Sequence, residues 1–191
     1  MKEKNKMLMI VDPQIDFISG SLPVPGADVA MDALACYIKD CGDAYSHIVV
    51  TADRHPMNHC SFKSQGGDWV PHCIHDSVGA AVYPAVMDAL CEFKGKITFL
   101  HKGESRCKEE YSIFKNEIAS GDIAAIVDAE GIGSIDICGI AGDVCVSDSL
   151  LDGMDLLGSG RFNVLTRFSP SLDDGKRLNE IISKFGISCD R

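Results

Sequence analysis

The sequence predicts an α/β protein, a three-layer αβα sandwich with a mostly parallel central sheet. Two observations predict it. Apolar, strand-like runs alternate along the chain with longer stretches whose apolar residues recur at spacings of three and four, the rhythm of βαβ units with helices on both faces of a sheet. Four of the runs also lead straight into a reactive side chain: MLMIV into Asp12, HIVVTA into Asp53, ITFLH into Lys102 and IDICGIAGDV into Cys145. In an open parallel sheet the carboxyl ends of buried strands share one edge, so side chains placed there by separate strands converge on one crevice.

The elements follow in order. The apolar run Met7–Val11 predicts the first strand, and the Pro and Gly segment SGSLPVPGA (Ser19–Ala27) predicts a turn before a helix over Asp28–Cys41. A second strand is expected over His47–Thr51, then a long loop, His55–Pro71, that carries the only tryptophan, Trp69. Loops of that length in a compact domain are often functional. Helices are expected over Ser77–Ala89, Ser112–Ala119, Val144–Leu157 and Asp173–Phe185, and strands over Ile97–His101, Ser134–Ile140 and Phe162–Thr166. Neither an internal repeat nor a low-complexity segment interrupts the alternation, and residues 1–191 are expected to form a single domain.

Composition sets bounds on function. With 46% hydrophobic and 24% charged residues the chain reads as an ordinary soluble globular protein. A net charge of -10 argues against nucleic acid or an anionic membrane surface as partner, since both require clustered Lys and Arg. No apolar run reaches the roughly 18 residues of a membrane span, and MKEKNK leads into a short strand without a cleavage site, so a cytoplasmic location is expected. The nine cysteines are odd in number and lack CxxC spacing, which favours reduced thiols over a disulfide framework or a zinc ribbon.

Among those cysteines Cys145 has a distinctive setting. It follows the Gly-rich turn GIAGD at the end of a strand and heads a predicted helix, where backbone N–H groups lower a thiol pKa and can receive a negative oxygen. Asp12 ends an otherwise apolar strand. With Pro13 after it, Asp12 also fits a helix cap, but no histidine neighbours Cys145, and a strand-end carboxylate is the available base for the thiol. Lys102, which alone reads as a snorkelling surface residue, gains a role beside these two: a fixed ammonium stabilises a thiolate and a developing oxyanion. Asp53, His55, His59 and His72 form a second constellation of donors suited to a divalent transition metal.

The segments VDPQIDF (11–17), LPVPGAD (22–28), TADRHPMNHCSF (51–62), WVPHC (69–73), Gly79 with Ala80, HKG (101–103), YSIF (111–114) and GIAGDVCVSDSLLD (139–152) together resemble the isochorismatase-like cysteine hydrolases, in particular their nicotinamidase (pyrazinamidase-type) branch. The resemblance spans about the first four fifths of the chain, in the family's order, and its joint match is highly specific. It implies the isochorismatase-like hydrolase fold and a catalytic triad of Asp12, Lys102 and Cys145. It implies a metal, zinc or else iron or manganese, on Asp53, His55 and His72, with His59 a further ligand in some members. The oxyanion donors would be the backbone N–H groups of Ala141 and Cys145, with a cis peptide between Ile140 and Ala141, and Phe17 and Trp69 would sandwich a pyridine ring. The implied activity is hydrolysis of nicotinamide to nicotinate and ammonia through a Cys145 thioester, in NAD salvage; the sequence allows a homo-oligomer and does not fix the oligomeric state.

The chain departs from the family's frequent pattern at Ala52 and Arg54, at Gly142, and at His75–Ser77, which bears on substrate breadth more than on reaction class. The segment after Leu157 is the weakest match. A related cysteine hydrolase acting on another small amide or carbamoyl compound is the alternative reading, and a non-enzymatic member with a vestigial pocket a third. The intact Asp12, Lys102 and Cys145 set argues against the last.

Overall fold

The computed structural model describes residues 5–190. Six strands, β1 (Asn5–Val11), β2 (His47–Asp53), β3 (Lys96–Lys102), β4 (Ile132–Gly139), β5 (Phe162–Val164) and β6 (Ser188–Cys189), form one sheet in the order β3-β2-β1-β4-β5-β6. Every pairing is parallel, which meets the expected αβα architecture. The longer helices are α2 (Ala27–Cys41), α3 (Pro84–Glu92), α4 (Glu117–Glu130), α5 (Ser147–Leu157) and α6 (Lys176–Phe185), and a single turn, α1 (Ile15–Ile18), follows β1.

Side-chain alternation along the strands builds two cores. Leu8, Ile10, Ile48 and Val50 face α2 and α3, where they meet Met31, Leu34, Val86 and Leu90. Met7, Met9, Val11, Val49, Ile135 and Ile137 face the other way, onto Ile123 of α4, Leu150 and Met154 of α5 and Leu178 and Ile182 of α6. Strands buried on both faces are mostly apolar, and the exceptions are paired: Asp136 of β4 meets Lys6 at 2.7 Å.

The order of the sheet places the functional edge. From β1 the chain winds outward through β2 to β3, then returns to lay β4 on the other side of β1, so connections leave the ends of β1 and β4 in opposite directions and open a crevice there. The register sets Asp53 directly beside Lys102 and Val11 beside Gly139.

Several expected helices start elsewhere. Helix α3 begins at Pro84 rather than Ser77, because residues 77–83 are drawn onto the turn after β1: Asp16 and Ile15 donate their N–H groups to Gly79 and Ala81, and Gln14 bridges Val82. In place of a helix over Ser112–Ala119, a single 3-10 turn at Ile113–Lys115 gives way to α4, capped by the Asn116 side chain on Ala119 N–H and running on to Glu130. Residues 142–146 form a π turn ahead of α5, and Gly175 delays α6 to Lys176. The segment after Leu157 contributes β5, α6 and the short β6, the last of which no sequence signal indicates.

Two glycines give opposite expectations. A Cβ at Gly139, whose φ is +127°, would lie 2.0 Å from the Val11 carbonyl oxygen, whereas Gly121 on α4 has open space around it. Gly139→Ala should lower stability by about 2 kcal/mol or more, and Gly121→Ala should raise it by about 0.5–1 kcal/mol. Urea titration of both variants checks the pair, and a destabilised Gly121→Ala would contradict the placement of α4.

Candidate active site

The three strand-end residues do converge. Lys102 is fully buried, and its Nζ lies 2.5 Å from Asp53 Oδ1, 2.9 Å from Asp12 Oδ2 and 3.6 Å from Cys145 Sγ. Asp12 is also fully buried and adopts φ +48°, a left-handed conformation that aspartate tolerates better than most residues. It caps no helix, contrary to the alternative its Pro13 neighbour suggests: its Oδ1 accepts from the Thr51 hydroxyl at 2.7 Å, and its N–H donates to the Thr51 carbonyl at 3.1 Å. Oδ2, in ion contact with Lys102, has no aligned hydrogen-bond donor among the described residues, and the Asp12 carboxylate lies within 4.8 Å of the Cys145 thiol.

The turn that carries Cys145 is held by tight packing. The Ile140–Ala141 peptide is cis, as the resemblance implies, and among the described residues no acceptor takes the Ala141 N–H. Gly142 packs so closely on the C-terminal segment that a Cβ there would lie 2.4 Å from Ser171 Oγ, and its N–H donates to the Pro170 carbonyl at 2.8 Å. Asp143 Oδ1 accepts the Leu172 N–H at 2.9 Å, and Arg177 donates to the Asp143 carbonyl at 2.8 Å and to Asp148 at 2.6 Å. The segment to which the sequence assigns only the last strand and helix thus also braces the cysteine turn.

Asp53, His55 and His72 each offer a donor atom, all within 4.8 Å of one another. The imidazole tautomers follow from their partners, because a carbonyl can only accept. His55 Nδ1 donates to the Gly103 carbonyl at 2.9 Å and His72 Nδ1 to the Val70 carbonyl at 2.8 Å, which leaves each Nε2 free of those carbonyls and near the other two donors. His59 differs. Its Nε2 donates to the Lys108 carbonyl at 3.1 Å, its Nδ1 accepts from Ser61 Oγ at 2.7 Å, and its ring stacks on His55 at 4.0 Å, so both nitrogens are already engaged.

A cavity opens beside the thiol. Phe17, Trp69, His72, Tyr111, Ala141 and Cys145 are among its walls, and Trp69 Nε1 donates to the Tyr111 hydroxyl at 3.0 Å. Arg54 and His75–Ser77, where the chain departs from the family pattern, are not among them. Arg54 pairs with Glu104 at 3.0 Å on the exterior.

Sequence reasoning misses the residues that hold these groups in place. Gln14, fully buried, accepts the Asp53 N–H at 2.8 Å and donates to the Asp53 and Ala80 carbonyls, both at 2.8 Å. Asp16 accepts the Cys73 N–H at 2.7 Å and so anchors the strand of loop behind His72. Phe62, fully buried, meets the rings of His55, His59 and His72 edge-on. Gln14 and Asp16 stand within VDPQIDF and Phe62 closes TADRHPMNHCSF, but polar or aromatic identity alone does not separate a positioning residue from an ordinary one.

Electrostatics divide the two carboxylates. Burial raises the Asp12 pKa and Asp53 adds to the rise, against the opposing pull of Lys102. Burial would raise Asp53 too, but Lys102 and His55 outweigh it and hold that carboxyl below the usual range. Burial pushes the Cys145 thiol well up, with Lys102 opposing. For Lys102 burial favours the neutral form, yet the two carboxylates prevail and keep it charged. Burial lowers His72 and His59.

A parallel αβα sheet with a thiol, a carboxylate and an ammonium at its switch point is the architecture of a cysteine hydrolase. The sequence pattern described as the isochorismatase domain matches residues 6–158. The chain is 31% identical over 181 residues to the nicotinamidase of Escherichia coli K12, covering 84% of this chain and 81% of that protein. Its fold is similar to that of PnC1 from L. infantum in complex with nicotinate (TM-score 0.83, 27% identity, 98% of this chain and 93% of that one). It is likewise similar to the pyrazinamidase of Pyrococcus horikoshii in complex with zinc (TM-score 0.78, 29% identity, 98% and 99%). The chain belongs to the isochorismatase family.

Removal of the Gln14 clamp should be costly, because the Asp53 backbone loses both partners in a buried setting. Gln14→Ala is expected to lower stability by about 1–3 kcal/mol, measured by urea unfolding, whereas a loss below a few tenths would mean that the clamp carries no weight.

Proposed function

We propose that the protein is a metal-assisted cysteine amidase that hydrolyses nicotinamide to nicotinate and ammonia. The observation that carries this reading is the position of Cys145: its Sγ lies 3.6 Å from a charged, buried Lys102, close to Asp12, and it lines a cavity shared with Phe17, Trp69 and His72. Similarity to nicotinamidases and to a nicotinate complex supports the substrate.

Each step uses one physical requirement. Asp12 takes the Cys145 proton, a transfer made less uphill by its raised pKa, and Lys102 holds the resulting thiolate. The thiolate attacks the amide carbonyl, and the backbone N–H groups of Ala141 and Cys145 receive the oxyanion. Asp12 then gives its proton to the departing ammonia. A water that yields a proton to Asp12 cleaves the thioester, releasing nicotinate and the thiol. Phe17 and Trp69 hold the flat ring so that the carbonyl meets Sγ.

Asp53, His55 and His72 fit a divalent transition metal, since two imidazoles each held at Nδ1 by a backbone carbonyl and an ionised carboxylate supply a nitrogen and oxygen donor set; zinc is the favoured ion. When bound, such an ion offers a Lewis-acid position for a ring nitrogen and thereby orients the amide. An amidase acting on another small amide or carbamoyl compound would share the whole of this chemistry. Arg54 and His75–Ser77, two of the places at which the chain departs from the family pattern, lie outside the cavity.

Ammonia release from nicotinamide tests the reading. The metal-loaded protein should turn over and Cys145→Ala should fall by about 10⁴-fold or more with its melting temperature kept; turnover retained in that variant would remove Cys145 as nucleophile. Gly103→Ala provides a test without touching a donor. Its Cβ would lie 2.4 Å from the His55 ring at a φ of +70°, so metal per chain at limiting metal should correspond to affinity weakened by about 10- to 100-fold. Undiminished metal content would exclude His55 from the set.

A further inference from the structure

The loop that carries His55, His59 and Trp69 and the loop that follows β3 meet at two cysteines far apart in sequence. Cys60 donates its N–H to the Arg106 carbonyl at 2.9 Å, and Cys107 is the next residue after that carbonyl. A peptide hydrogen bond in this position sets the two α-carbons about 5–6 Å apart, inside the range that a disulfide spans. Both thiols are free, Cys107 is exposed and Cys60 is half-buried. The Cys60 turn is fixed on its other side, where Trp69 donates its N–H to the Ser61 carbonyl at 2.9 Å and Gly67 packs against the Cys60 carbonyl. Cys107 leads directly to Lys108, whose carbonyl holds His59, and to Glu109 and Tyr111 on the cavity wall.

We propose that Cys60 and Cys107 are a site of reversible oxidative modification, an intramolecular disulfide that staples the His55–Trp69 loop to the 104–111 loop at the mouth of the cavity. The exposed Cys107 thiolate attacks a small disulfide oxidant of the glutathione type, forming a mixed disulfide and expelling one thiol. The Cys60 thiolate then attacks Cys107 Sγ and expels the second thiol, so two cysteine thiols lose two protons and two electrons and one oxidant disulfide becomes two thiols. Close placement makes the second step intramolecular and favours it over capture of another oxidant molecule. The bond joins loops that contribute His55 and Trp69 on one side and Tyr111 on the other, so it bears on access to the site whichever amide is the substrate.

The test uses full-length Cys145→Ala protein, which removes the buried thiol of the active site from the count, incubated folded with oxidised glutathione. Peptide mapping should find Cys60 joined to Cys107, the linked peptide pair weighing two hydrogens less than the two reduced peptides together and carrying no glutathione, whatever the exposed Cys36, Cys41 and Cys91 take up. Dithiothreitol should return both peptides to their reduced masses, and Cys60→Ser should lose the bridge and accumulate glutathione on Cys107. Stable glutathione adducts on both residues, a bridge elsewhere, or both thiols left reduced would overturn the proposal. None of these readouts depends on turnover, so the assignment of nicotinamide stands or falls separately.

Discussion

One buried ammonium organises the functional end of this protein. Lys102 brings a positive charge out of water at the end of β3, and a charge in that position is tolerated only when opposite charges surround it. Asp53 answers from the neighbouring strand, Asp12 from the strand beyond, and Cys145 from the turn after β4. The parallel register places all of these at one edge, and the glycine turn between β4 and α5 lets the chain pass close to β1. Two carboxylates against one ammonium leave an excess of negative charge. The split between them follows: Asp53, tighter on Lys102 and beside His55, keeps its charge, while Asp12 is pushed toward the protonated form. A base that gains and loses a proton readily and a cation that never does are what a thiol nucleophile requires.

Asp53 belongs to both halves of the site. One oxygen meets Lys102 and the other lies 3.5 Å from His55 Nε2, so the donor trio and the thiol are coupled through a single carboxylate. Gln14 fixes the backbone of that residue, and Phe62 fills the space among the histidine rings. These supporting contacts are apolar or neutral, which keeps the reactive groups in one arrangement without adding further buried charge.

Much of this arrangement is legible in the amino-acid sequence. Buried strands leave an apolar signature, and β1, β2 and β4 each lie within a few residues of such a run, as does the edge strand β3, though it is partly exposed; the ends of the first three strands mark Asp12, Asp53 and Lys102. Signals fail where tertiary contacts override local pattern. Residues 77–83 have helix-like spacing but are held by backbone bonds to the turn after β1, and α4 begins where Asn116 caps it rather than where apolar spacing starts. The strand β6 is too short to carry a pattern. Pro13 makes Asp12 look like a cap, whereas its left-handed conformation turns the carboxylate toward Thr51 and Lys102. Gln14, Asp16 and Phe62 do not stand out in the sequence because their work is defined by partners distant along the chain. The same holds for the C-terminal segment that braces the Cys145 turn.

The central claim, that Lys102 neutralises Asp12 and Asp53 inside the protein, is tested most directly by a double-mutant cycle in stability on metal-free protein. Lys102→Met should cost about 3–5 kcal/mol, because it leaves two carboxylates buried without a cation. Adding Asp12→Asn to Lys102→Met should recover part of that loss, giving a coupling of about 1 kcal/mol or more between the two sites. Strictly additive losses, with no recovery in the double variant, would contradict the account.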